Sequence, residues 1–351
     1  MKNNIGNAME FIEIDGSQGE GGGQVLRTAL SLSACTGRAM HIRHIRNGRR
    51  KPGLMRQHLA CVQAAAAICN AEVKGASLGS KNIQFVPNEI EAGNYRFSVG
   101  SAGSSTLIFQ TALPLLMLAG KPSLLQLEGG THNPLAPSYD FIHEVFLPIL
   151  RQIGVDCQAQ IDRYGFYPVG GGQWSVTIEP KSDFCRIDLT ERGALLKAEA
   201  VCIEAGLPAH VAEREIKRLR KKLNWPEDAF GRLKVKALGG GNVVSLRSYY
   251  RHATEVIDSI GVIGVSAERV ASNAVEQLRR YQNNGAPVGE HLADQLLLPL
   301  ALTKGGSFVA GPPSEHVRTN IVVIKQFLDI DIQCEEIAPK RQWRISVEKR
   351  M

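Results

Sequence analysis

Residues 11–45 read FIEIDGSQGEGGGQVLRTALSLSACTGRAMHIRHI, which in residue types is strand, glycine turn, helix and strand. Phe11 to Ile14 forms the strand, and the glycines of Gly16 to Gly23 make the turn that ends it. From Gln24 to Thr36, Val25, Leu26 and Leu30 lean toward a core, while Glu20, Gln24 and Arg27 share another face at helical spacing. Met40 to Ile45 returns to strand, and a second helix starts near Pro52.

Two later stretches repeat this order. One has a strand at Tyr95 to Val99, a turn at Gly100 to Ser104, a helix to Leu118, a strand at Ser123 to Leu127, a helix from Pro137 and strands near Val155 and Trp174. The other runs from Val288 through a helix at His291 to Leu302, a strand at Ser307 to Ala310, a helix from Ser314 and strands near Ile330 and Trp343. Its opening strand is missing in place and is best put at Cys185 to Leu189, ahead of an insert. The expectation is an α/β (α+β) fold of three βαβαββ units, residues 1–189 and 286–351, with a smaller α/β domain inserted at 190–285. That insert holds a charged helix, His210 to Leu223, and strands at Leu233 to Ala237 and Val243 to Arg247.

The 351 residues are 44% hydrophobic and 21% charged, a globular balance that excludes a disordered chain. Forty-one Lys and Arg against 34 Asp and Glu leave a charge of +7, which suits a polyanionic partner without requiring one. Between Arg38 and His58 the chain carries seven cations and no acid, a solvated basic face or a phosphate patch. Seven cysteines lie singly, without the paired spacing of a zinc or redox site. Met1 to Asn7 lacks a signal pattern, and no apolar run reaches the ~18 residues of a membrane span. The expected location is the cytoplasm, with no membrane partner.

Residues 16–24 match neither a Walker loop nor a dinucleotide fingerprint, yet glycines at a helix start expose backbone N–H groups that favour phosphate. Glu20 beside Arg27 reads as a metal and phosphate site or as a surface ion pair. His291, Asp294 and Gln295 likewise converge on one helix face, which is a site or a hydrated surface. Gly311-Pro312-Pro313-Ser314-Glu315-His316 leads into a helix striped by Val317, Ile321, Ile324 and Leu328. His316 in its first turn is either structural or a neutral imidazole fit for attack on phosphorus.

Together, Asp15-Gly16-x-x-Gly19-Glu20-Gly21-Gly22-Gly23-Gln24 with Arg27, Arg46-x-x-Arg49-x-x-Pro52-Gly53-Leu54-x-x-Gln57-His58, Gly100-Ser101-Ala102-Gly103-Ser104, the stretch His291 to Gln295 and the proline-led His316 resemble the RNA 3′-terminal phosphate cyclase family over essentially the whole chain. The resemblance implies repeats akin to those of enolpyruvyl transferases, and a ligase-type reaction that uses ATP and a divalent cation, Mg or Mn, to cyclise an RNA 3′-terminal phosphate. It also implies His316 as the residue that carries AMP. Glu20 would bind the metal. Arg27, Arg46, Arg49, Gln57 and His58 would hold phosphates or the RNA end, while Gln110, Pro137, His291, Leu292, Ala293, Asp294 and Gln295 would line the ATP site. Within this scheme the basic run from Arg38 to His58 serves the RNA phosphate more than the nucleotide. The partners implied are ATP and RNA with a 3′-terminal phosphate, and the sequence leaves room for a homodimer. His291 is a departure, since many members carry tyrosine at this adenine-stacking position. Two rival readings are a non-catalytic relative serving ribosome assembly, which lacks the histidine, and an enolpyruvyl transferase, which forms no protein adduct.

Overall fold

The computed structural model describes residues 10–19 and 22–350. The first unit comprises β1 (Ile12–Asp15), α1 (Gln24–Thr36), β2 (Met40–Arg43), α2 (Arg56–Ile68), β3 (Glu72–Lys74) and β4 (Ile83–Val86). The second comprises β5 (Asn94–Ser98), α3 (Thr106–Leu118), β6 (Ser123–Gly129), a helical stretch of α4 (Tyr139–Phe141), one π-turn (Ile142–Phe146) and α5 (Leu147–Ile153), then β7 (Val155–Arg163) and β8 (Gly172–Pro180). β9 (Ile187–Leu189) follows, and then β10 (Leu195–Ala205), α6 (His210–Lys222), β11 (Phe230–Lys234), β12 (Gly241–Tyr250), β13 (Thr254–Ile260) and α7 (Ala267–Asn284). α8 (Glu290–Leu302), β14 (Gly306–Ala310), α9 (Glu315–Phe327), β15 (Ile330–Ala338) and β16 (Gln342–Lys349) complete the chain.

Three sheets share one topology. Their strand orders are β1-β2-β4-β3, β5-β6-β8-β7 and β9-β14-β16-β15. In each, the first two strands pair in parallel across a helix and the rest pair antiparallel. β9 therefore fills the place of the third unit's opening strand, although all four strands of the chain's fourth sheet lie between it and α8. The cause is the βαβ crossover, which needs only that the two strands meet, whatever length of chain joins them.

The helices α1, α3 and α8 also share a sequence register. Arg27 to Ser31, Gln110 to Pro114 and Gln295 to Pro299 occupy equivalent turns, with proline inside α3 and α8. A proline has no N–H, so the carbonyls of Gln110 and Gln295 lose their helical donors. Leu26, Leu30, Leu296 and Leu297 are at most 1% exposed and belong to one continuous core, each contributing roughly 2 kcal/mol by leaving water. Trp174 closes this core edge-on to Phe109 at 5.4 Å and donates its indole N–H to Ser105 Oγ at 3.0 Å.

The fourth sheet, β11-β10-β12-β13, carries α6 and α7 on a separate core of Leu219, Val244, Leu246, Val270, Ala274 and Leu278. It meets the second unit through Arg247, which bonds Glu144 at 2.7 Å and Asp140 at 3.4 Å, and through the Tyr249 hydroxyl, which donates to Glu144 at 2.6 Å. Three of its elements, β10, β13 and α7, go beyond the sequence expectation, and β11 starts three residues earlier than expected. Pairing fixes that start, because Ala200 of β10 lies opposite Phe230. Among the described residues no helix is long and apolar enough to cross a membrane.

Candidate active site

α1, α3, α8 and α9 converge on a cavity of about 60 Å³. Gln24, Arg27, Thr28 and Ser31 line it from α1, Gln110, Leu113 and Pro114 from α3, and Asp294, Gln295, Leu298 and Pro299 from α8. Asn320 of α9 and Phe146 close it. Thr28 Oγ1 donates to Asn320 Oδ1 at 2.7 Å and Asn320 Nδ2 donates to the Asp294 carbonyl at 3.1 Å, so one buried bridge sets the spacing of three helices.

His316 adjoins the cavity through Gln24. Ser314 caps α9 by accepting from the Val317 N–H, which puts His316 in the first turn. Its Nδ1 lies 2.8 Å from Gln24 Oε1, and Gln24 Nε2 lies 3.0 Å from Asp294 Oδ2. Gln24 donates its NH₂ to Asp294 and so turns its oxygen to the imidazole. Nδ1 then carries the proton, and the lone pair of His316 sits on Nε2.

Burial lowers the His316 pKa below the ordinary imidazole value, and the charges of Arg27 and Arg49 lower it further against an opposing pull from Glu290. The ring is neutral at pH 7, as its helix-start position also favours, but loss of water is the leading cause. Asp294 is pushed the other way, to about 7, because burial outweighs the attraction of Arg27. His58 is pushed down to about 3 by burial, then by Arg27 and Arg46. Its Nδ1 accepts from the Met55 N–H at 3.2 Å, so the neutral ring offers Nε2–H as a donor.

That donor faces the glycine-rich turn. A Cβ on Gly23 would stand 2.7 Å from His58 Cδ2 and 2.9 Å from Arg27 Nη1, so only glycine lets both side chains close on the start of α1. Gly19, at φ 59°, adopts a backbone that disfavours a side chain and packs on Thr319, one turn beyond His316. The turn is thereby pinned to the helix that carries the histidine. Glu20 lies outside the described residues.

Of the other residues named from sequence, Arg27, Gln110, Asp294 and Gln295 line the cavity and His291 stands exposed at the start of α8. Gln295 Nε2 donates to the His291 carbonyl at 3.0 Å, leaving its buried Oε1 without a partner. Leu292 and Ala293 are buried apolar side chains of α8. The Pro137 carbonyl accepts from Thr106 Oγ1 at 2.8 Å, and Pro137 is not among the residues that line this cavity. Gln57 packs on Gly103, 3.1 Å from where a Cβ there would stand. Arg46 is 9% exposed and its Nη1 donates to the carbonyls of Lys51 and Gly53, both at 2.8 Å, so this cation braces the loop that carries Arg49. The positive charge of Arg49 acts on His316, lowering its pKa. Gln24, Thr28 and Asn320 were not assigned roles from sequence; for Gln24, a place on the face shared by Glu20 and Arg27 was the available signal.

A neutral histidine steered by an amide and a carboxylate, beside an arginine and a glycine-rich helix start, is suited to nucleophilic attack on a phosphate. Comparison with known proteins gives the class. A profile of the family described as RNA 3′-terminal phosphate cyclase matches residues 18–334, and the chain belongs to that family. It is 45% identical to the RNA 3′-terminal phosphate cyclase of Ectopseudomonas mendocina over 97% of this chain and 99% of that one. The proteins of the same name from Pseudomonas fluorescens and Koribacter versatilis are each 46% identical, covering 94% and 93% of this chain and 96% and 93% of theirs. Among solved structures, the enolpyruvyl transferase NikO of Streptomyces tendae aligns at a TM-score of 0.39 and 10% identity, over 97% of this chain and 49% of that one. The fold class rests on the repeated sheets themselves.

Proposed function

We propose that this protein uses ATP to convert an RNA 3′-terminal phosphate to a 2′,3′-cyclic phosphodiester by way of AMP carried on His316. Family membership supplies the reaction class, and the Asp294, Gln24, His316 chain supports the choice of nucleophile. Nε2 of His316 attacks the α-phosphorus of ATP, a P–N bond forms and pyrophosphate leaves. An oxygen of the RNA 3′-phosphate then attacks the same phosphorus, breaking the P–N bond and leaving an RNA-adenylate anhydride. The neighbouring 2′-OH attacks the 3′-phosphorus, loses its proton and expels AMP.

Arg27 and the Nε2–H of His58 face the glycine turn and stabilise phosphate charge there, with Arg49 adding a positive charge that acts on His316. The unpartnered Oε1 of Gln295 is an acceptor for an amino group such as that of adenine, with Gln110 across the cavity and His291 placed to stack. Among the described residues no group of three or more His, Cys, Asp or Glu side chains could cage a metal. That donor set fits an ion bound chiefly by the triphosphate, with Glu20 as its protein ligand. Such an ion would supply charge neutralisation for the departing pyrophosphate. In this reading residues 1–189 and 286–351 perform the chemistry, and residues 190–285 form an inserted unit that tunes RNA engagement.

A 3′-phosphorylated oligoribonucleotide incubated with the protein, ATP and Mg tests the proposal. The expected product has an end resistant to phosphatase and is accompanied by equimolar AMP and pyrophosphate. An end that remains sensitive to phosphatase while ATP is consumed would overturn it.

A further inference from the structure

The turn between β7 and β8 places side chains in opposite directions. Phe166 is 2% exposed and packs against the start of β12, where Gly241 leaves it room. Tyr167 and Val169 are 67% and 51% exposed. The turn before β12 lies alongside: Leu238 is 62% exposed, a Cβ on Gly171 would stand 2.6 Å from Leu238 Cδ1, and one on Gly239 would stand 2.6 Å from Val169 Cγ2. The Tyr164 N–H donates to the Lys236 carbonyl at 2.9 Å, which locks the two turns together. The result is a fixed, outward-facing step of one aromatic and two aliphatic side chains.

This step continues into the candidate active site. A Cβ on Gly170 would stand 2.6 Å from the Cα of Ala102, so the turn rests directly on the Gly100 to Gly103 loop. That loop rests in turn on Gln57, next to His58, whose ring lies against Gly23 and Arg27. Cations border the route: Arg56 Nη1 donates to the Gly100 carbonyl at 2.8 Å and Arg163 Nε to the Gly171 carbonyl at 2.7 Å.

We propose that Tyr167, with Val169 and Leu238, forms a stacking step for unpaired bases of the RNA just upstream of its terminal phosphate. The inference rests on the RNA-end reading above. Exposed aromatic and aliphatic faces take bases of any sequence, and flanking guanidinium groups follow the phosphates between them. The step joins the second unit to the fourth sheet, so it also gives that sheet a role in RNA binding without any contact to ATP.

The test compares KM for a 3′-phosphorylated decanucleotide and a 3′-phosphorylated dinucleotide, which under this proposal ends before the step, in the parent protein, Tyr167→Ala and Tyr167→Trp. Loss of one stacking contact is expected to raise KM for the decanucleotide roughly ten-fold in Tyr167→Ala at constant kcat, with the dinucleotide unaffected and Tyr167→Trp close to parent. An unchanged decanucleotide KM, or equal rises for both substrates, would overturn the proposal. So would a change in solution mass of Tyr167→Ala without a change in KM, which would make the step a contact between copies. If the parent protein converts neither substrate, the reading of the reaction fails and this inference with it.

Discussion

Replacing Asp294 by asparagine is expected to stabilise the protein above neutral pH and to leave its stability unchanged in acid. In the folded chain the Asp294 carboxyl is held at about 7, against an ordinary value of 3.8, because burial outweighs the pull of Arg27. Between those two values the folded protein keeps a proton that the unfolded chain has lost. Stability therefore falls as pH rises from about 4 to about 7 and levels off above. A shift of about three units at ~1.4 kcal/mol each sets a ceiling near 4 kcal/mol, and the partial exposure of the side chain brings the expected gain to about 2 kcal/mol. Asparagine keeps an oxygen for Gln24 Nε2 and has no charge to desolvate. Urea unfolding of both proteins at pH 8 and pH 4 reads the difference directly. Equal stabilities at pH 8, or a gain of the same size at both pH values, would refute the reasoning.

Three further outcomes follow from the geometry. Gln24→Leu removes the acceptor of His316 Nδ1 and frees the ring to turn, so the self-adenylation rate measured by single turnover should drop on the order of 100-fold with little change in ATP affinity. Gly23→Ala forces a Cβ onto His58 and Arg27, and isothermal titration should show weaker triphosphate binding by about ten-fold or more, with circular dichroism unchanged. Arg247→Leu strips the cation from Asp140 and Glu144, each under 20% exposed, and should cost about 3–5 kcal/mol in denaturant unfolding.

The first two repeats were legible in the sequence because each opens with the same physical signal, glycines that stop a strand followed by an apolar helix, whereas the third keeps only Gly289 ahead of α8, with its strand β9 lying before the insert. α1 falls on Gln24–Thr36 in both sequence and structure, closed by Gly37 at φ 67°. The fourth sheet was read less fully. Eight of the eleven residues of β10 are Leu, Lys, Ala or Glu, which favour helix, and its pairing with β11 and β12 makes it a strand. α7 carried a readable start, Ser266 capping Arg269 N–H, and apolar residues at 267, 270, 271, 274, 275 and 278, and it lies outside the sequence expectation all the same. At the site, sequence spacing put Gln24 and Arg27 on one face but gave no way to see Asp294, 270 residues on, at the other end of the Gln24 amide. Nor does a cation-rich run reveal the role of each member: Arg46 turns inward to backbone carbonyls, while the charge of Arg49 lowers the His316 pKa.

The most direct test of the central claim is the chemistry of the adduct formed when the protein meets ATP labelled on the α-phosphate. The account predicts one AMP on the parent chain by intact mass, mapped to His316 and absent from His316→Ala and His316→Asn. As a phosphoramidate it should survive alkali and be lost in acid, since protonation of nitrogen breaks the P–N bond. Its formation should fall off on the acid side of neutrality, where His316 and Asp294 take up protons. An adduct that is stable in acid and lost in alkali, or one that persists in His316→Ala, would contradict the histidine mechanism.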